Sequence, residues 1–103
     1  MVKLRAVRAQ RAAKLGRFLI GLLRDQISTP GLRVEVRGSG LMAGVEIGQD
    51  GGRAMSAIKE MLRRGYILLP EGARGNVISF TPPLTITRAE LAGAVRALKE
   101  SLR

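Results

Sequence analysis

The sequence predicts an α+β domain of two layers: a small, mostly antiparallel sheet packed by helices, in the order α-ββ-α-ββ-α. Three observations predict it. Apolar residues recur at helical spacing in three separate stretches. Between those stretches the apolar residues alternate with a period of two. Glycine and proline clusters join the alternating runs through connections too short for a parallel crossover.

The first stretch covers residues 1–28. Leu4, Val7, Ala12, Leu15, Leu19, Leu22 and Ile27 recur at spacings of three to five and form one apolar stripe. A helix of this length is about 40 Å long, more than the core of so small a domain needs, which predicts a linking or docking role. Thr29-Pro30-Gly31 is expected to end it, because proline cannot continue a helix and glycine permits the turn. Two strands follow, Arg33 to Arg37 and Leu41 to Ile47, joined through Gly38-Ser39-Gly40 as a hairpin. Leu41, Ala43, Val45 and Ile47 share one face of the second strand.

Residues 53–64 read as a second amphipathic helix with Ala54, Ala57, Ile58, Met61 and Leu62 inward, and Gly65 suits its C-terminal cap. Tyr66 to Leu69 reads as a short strand, Pro70 to Gly75 as a loop, and Asn76 to Thr81 as a fourth strand stopped by Pro82-Pro83. The last helix opens at Thr87-Arg88-Ala89-Glu90, a capping box, and runs to Leu102 with Leu91, Val95, Leu98 and Leu102 inward.

Composition narrows the chemistry. The 103 residues contain neither cysteine nor histidine, which excludes disulfides, thiolate nucleophiles, imidazole bases and Cys/His zinc sites. The most apolar run, Phe18 to Leu23, is too short to cross a bilayer, so no membrane partner is expected. The net charge of +10 raises nucleic acid as a partner. The arginines are dispersed, however, with close pairs only at Arg63–Arg64 and Arg5–Arg8, and the aromatic residues are only Phe18, Tyr66 and Phe80. Single-strand binders interleave aromatics with charge, so a basic nucleic-acid module stays the alternative, beside a stand-alone interaction domain.

Local motifs give little catalysis. Gly38-Ser39-Gly40-Leu41-Met42-Ala43 matches the loose dinucleotide pattern G-x-G-x-x-A, but it leads into a strand instead of a helix. Glu35 and Glu46 are expected to face each other across the hairpin with Arg37 beside them, as a salt-bridged sheet face. Ser39 has no base to activate it. Lys3, Lys14, Lys59 and Lys99 all fall on helices, with no sign of the desolvation that a reactive amine needs.

Three segments together carry a resemblance. Arg37 to Glu46 resembles the RGxGLMxGVE segment of class III aminotransferases. Arg64 to Leu69 is similar to their xxGVLLL strand, and Gly75 to Thr87 to their GNVIRFTPPLTIT segment. They occur in the family's order over about residues 10–103. The resemblance, nearest to the 4-aminobutyrate and ornithine type enzymes, implies the C-terminal small domain of a fold type I enzyme. Residues 1–28 would be its linking helix and 31–103 its α+β core.

It further implies a homodimer acting on small amino and keto substrates, and the absence of cysteine is compatible with the expected cytoplasmic location. Pyridoxal phosphate would be held as a Schiff base by a lysine in a large domain that precedes this segment. On that reading the chain alone carries no catalytic residue and no covalent cofactor site, and it is inactive. Met42 and Val77 are expected at the interface with the large domain. Many relatives have a carboxylate-binding arginine where this sequence has Ser79. Ser79 is therefore the expected substrate-side residue, alternating with Ile78 and Phe80. Its neutrality points away from α-carboxylate recognition, toward an ω-amino acid, an amine or a racemase-type substrate.

Overall fold

A computed structural model describes residues 2–28 and 31–103, with side chains of the first helix described from residue 6 onward. The expected helix stop at Thr29-Pro30 and the inward placement of Leu4 lie outside the described residues. The elements are α1 (Val2–Gln26), β1 (Val34–Ser39), β2 (Met42–Ile47), α2 (Gly52–Arg63), β3 (Leu69–Glu71), β4 (Val77–Phe80) and α3 (Arg88–Ser101). The four strands form one antiparallel sheet in the order β1-β2-β4-β3, which is the α+β, two-layer arrangement that the pattern predicts.

Register follows from alternation. Ala43, Val45 and Ile47 of β2 and Ile78 and Phe80 of β4 all point to the buried face. The helices cover that face: α1 packs on β1 and β2, α2 on β3 and β4, and α3 against both helices. Leu19 and Leu23 from α1, Met61 from α2 and Leu91, Val95 and Leu98 from α3 meet there with almost no exposure.

The hairpin is tighter than the glycines suggest. Ser39 pairs with Met42, so only Gly40 and Leu41 form the loop, and Gly40 takes a positive φ of 57°. At the end of α2, the Gly65 N–H donates to Leu62 O and the Tyr66 N–H to Met61 O, with Gly65 at φ 93°. This is a Schellman cap. The expected capping box is present at α3: the Glu90 N–H donates to Thr87 Oγ1 at 3.1 Å, and the Thr87 N–H to Glu90 Oε1 at 2.9 Å.

Three expectations need correction. Leu62 is 60% exposed, because Met61 completes the stripe of Ala54, Ala57 and Ile58 and the next residue turns about 100° away. Val7 is 58% exposed, because the described part of the inward stripe of α1 begins farther along, at Ala12, which packs against the core. Strand β3 lies at Leu69–Glu71 instead of Tyr66–Leu69, because the Schellman cap occupies Tyr66 and pairing with β4 starts at Leu69 opposite Ser79.

Both sheet edges are protected against further strand addition. On β1, Arg24 Nη2 donates to the outward carbonyl of Val36 at 3.3 Å. On β3, Pro70 supplies no N–H.

Candidate functional site

The sheet face opposite the helices is the candidate site. Residues paired across neighbouring antiparallel strands project to the same side. Gly44, Ser79 and Leu69 are such partners, as are Glu46, Val77 and Glu71, and also Glu35 with Glu46 and Arg37 with Gly44. The open face therefore runs along the strands, from a charged end at Glu35, Glu46 and Glu71 to an apolar end at Leu69 and Met42.

The charged end is self-satisfied. Arg37 Nη2 donates to Glu35 Oε2 at 2.7 Å and to Glu46 Oε1 at 3.4 Å, and Arg33 also pairs with Glu35. Arg37, then Arg33, holds the Glu35 carboxyl below the usual glutamate range. Arg64 does the same for Glu100, linking α2 to α3. At Glu90 the cause is the Thr87 backbone N–H, then its hydroxyl. A carboxylate whose pKa is depressed by folding stabilises the fold above its unfolded pKa of about 4.3, and the effect is lost as pH falls through the folded value. Thermal midpoints are accordingly expected to be flat from about pH 7 to pH 5.5 and to fall below about pH 4. Each group is solvent-facing, so the individual effects are small. A midpoint that rose on acidification would contradict these pairings.

The apolar end is unsatisfied in two ways. Met42 is 60% exposed and Leu69 53% exposed, and Ile67, just before β3, is 78% exposed. Ser79 is the reverse case. It lies on the open face, as alternation predicts, yet it is only 6% exposed, flanked in register by Gly44 and Leu69. Its hydroxyl makes no hydrogen bond among the described residues, whereas buried hydroxyls nearly always have a partner. Leaving one unmade costs about 1–3 kcal/mol. The sequence placed Ser79 on this face but gave no sign that the strand's neighbours would bury it.

The remaining sequence candidates separate from this surface. Ser39 sits at the exposed end of the hairpin, and Gly38-Ser39-Gly40 leads into strand β2 as expected. Lys14, Lys59 and Lys99 are all exposed on helices. Among the described residues no cluster of acidic or ligating side chains could hold a metal ion, and no helix is long and apolar enough to cross a membrane. Two residues that sequence reasoning missed position the site from behind. Arg24 ties α1 to β1, and Asn76 Nδ2 donates to Gly48 O at 2.9 Å, joining the lead-in of β4 to the end of β2. Only a long-range contact identifies either of them.

Comparison with known proteins decides the family. The sequence model of class-III aminotransferases matches residues 4–102. The chain belongs to that family. The chain is 39% identical over 93 residues to the acetylornithine aminotransferase of Bacillus subtilis, covering 90% of this chain and 23% of the relative. It is 37% identical over 100 residues to the alanine/serine racemase of Pyrococcus horikoshii, covering 88% of this chain and 21% of the relative. The crystal structure of a Bacillus anthracis aminotransferase superposes with a TM-score of 0.85 at 23% identity, over 98% of this chain and 25% of that one. The last comparison establishes the fold alone. This class-III aminotransferase chain thus spans under a quarter of the length of the curated relatives it matches.

Proposed function

We propose that the chain is the C-terminal small domain of a pyridoxal-phosphate-dependent aminotransferase, inactive by itself. Its open sheet face packs on a larger domain that precedes it and carries the cofactor lysine. In this reading the intact enzyme is a cytoplasmic homodimer acting on small amino and keto compounds, α1 links the domains, and residues 31–103 form the closing domain. The apolar end of the sheet supports the packing: Met42, Ile67 and Leu69 expose carbon surface that a larger domain would remove from water. The span of less than a quarter of its relatives supports a missing partner domain of this kind.

The observation that carries the assignment of Ser79 is its buried, unpartnered hydroxyl on that face. A substrate or a backbone group of the larger domain would supply the partner. The hydroxyl is neutral and its strand partners are Gly44 and Leu69, so this end of the pocket suits the uncharged end of an amine or a small amino acid over a carboxylate.

The test is a chimera in which this chain replaces the matching segment of the Bacillus subtilis acetylornithine aminotransferase. In it, Ser79→Arg is expected to raise kcat/KM for donors with a carboxylate at this end, relative to plain amines, by about tenfold or more, since a bidentate guanidinium–carboxylate pair forms. An unchanged ratio would remove Ser79 from the substrate surface.

The nucleic-acid alternative finds no support in the placement of the aromatic residues. Phe80 is buried, Tyr66 is half-buried, and Phe18 lies under the Arg88 guanidinium at 5.0 Å.

A further inference from the structure

On the flank of the molecule, away from the open sheet face, a basic cleft runs between α1 and the segment that leads into α3. One part, of about 290 Å³, is lined by Val7, Gln10, Arg11, Lys14, Leu15 and Arg88. It continues past Arg11 into a part of about 620 Å³ lined by Arg8, Arg11, Leu84 and Thr85. Among the described residues four cations line the two parts and no carboxylate does. None of the four forms an ion pair among the described residues.

Two of these cations are held in place. Arg11 donates from Nε to Leu84 O at 2.8 Å and from Nη2 to Ile86 O at 3.2 Å, and Arg88 stacks on Phe18. Arg8 and Lys14 stand free on either side of Arg11. The sequence of α1 makes the imbalance larger. Seven basic residues precede Asp25, the first acidic residue of the chain.

We propose that this cleft docks an acidic, amphipathic polypeptide segment, with carboxylates on Arg8, Lys14 and Arg88 and an apolar side chain over Val7 and Leu84. The apolar floor selects this occupant over nucleic acid: Val7 is 58% exposed between the cations, and the cleft offers no open aromatic face on which a base could stack. The Arg88 guanidinium, already held over Phe18, loses little freedom when a carboxylate arrives. The segment belongs to a partner protein, so the proposal stands apart from the enzymatic assignment.

The test uses the full chain and a fluorescein-labelled helical peptide of about 18 residues, five turns, with leucines along one stripe and glutamates flanking it. Binding is read by anisotropy at about 0.15 M salt, where long-range steering is screened. The double variant Arg8→Glu/Lys14→Glu is expected to weaken binding by at least about tenfold, because like charges then face each other. The variant Arg53→Glu/Arg96→Glu changes net charge equally on exposed helix positions elsewhere and is expected to change binding by less than about twofold. If the first variant loses its helical circular dichroism, Arg8→Gln/Lys14→Gln replaces it, with a smaller loss expected in the same direction. Equal losses from both sites, no measurable binding by the unaltered chain, or tighter binding of an oligothymidylate of equal charge would each overturn the proposal.

Discussion

Replacing Gly16 by alanine is expected to lower the thermal unfolding midpoint sharply, while the same replacement at Gly21 raises it. Both residues lie inside α1, where alanine is favoured over glycine by about 0.8–1 kcal/mol. Their surroundings differ. A Cβ on Gly16 would stand 1.6 Å from the backbone oxygen of Gly40, in the hairpin loop, whereas a Cβ on Gly21 meets nothing within 4 Å. The loop cannot yield by a side-chain rotation, because the obstructing atom is main chain, so α1 must lift from the sheet. Overpacking costs about 1–3 kcal/mol, occasionally more, and a main-chain approach of 1.6 Å lies at the upper end of that range, which outweighs the propensity gain. We expect a net loss of at least about 2 kcal/mol at Gly16, or about 8–16 °C in a domain of this size, and a gain of up to about 1 kcal/mol at Gly21. Calorimetry of the two variants checks the pair. Equal gains would mean that α1 does not touch the hairpin.

Leu19→Ala carries the second large effect. Leu19 is fully buried between the sheet and the other helices, and its truncation leaves a cavity that the surrounding core closes only in part. Such truncations cost about 2–5 kcal/mol, so urea unfolding should show the midpoint reduced by a large fraction with the slope unchanged. Val7→Ala, at an exposed position on the same helix, is expected to stay within about 0.5 kcal/mol. The contrast divides α1 by function. Its second half is core, through Leu15, Leu19 and Leu23, and residues 6–11 are exposed. A loss at Val7→Ala as large as at Leu19→Ala would place the whole helix within the core.

Most of the fold was legible because alternation and helical spacing are local. Ala43, Val45 and Ile47 announce the buried face of β2, and Leu91, Val95 and Leu98 that of α3. The Thr87–Glu90 capping box is a four-residue signal and appears as read. Strand β3 was misplaced because Tyr66-Ile67-Leu68-Leu69 is apolar enough for a strand, while the Schellman bonds that occupy Tyr66 depend on where α2 ends. Leu62 and Val7 were misassigned for a related reason. Apolar residues adjacent to a stripe look like members of it until the neighbouring elements are in place.

At the candidate site, alternation put Ser79 on the open face, but its burial depends on β2 and β3 closing in on both sides of β4. The close approach of Gly16 to Gly40 and the hold of Arg11 on Leu84 and Ile86 join residues far apart in sequence, and no local pattern encodes them.

In the proposed reading, the apolar end of the open sheet face is covered by a preceding, larger domain. The chain has no cysteine, so a single one can report on that face. Met42→Cys is placed on the open face and Met55→Cys on α2 as a control, and maleimide labelling is followed by peptide mass spectrometry. Both are measured in the free chain and in the chimera with the Bacillus subtilis acetylornithine aminotransferase. We predict that Cys labelling at position 42 slows by about tenfold or more in the chimera, as expected for a side chain removed from solvent, while labelling at position 55 is unchanged. Equal rates at position 42 in the free chain and in a folded, cofactor-binding chimera would contradict the account.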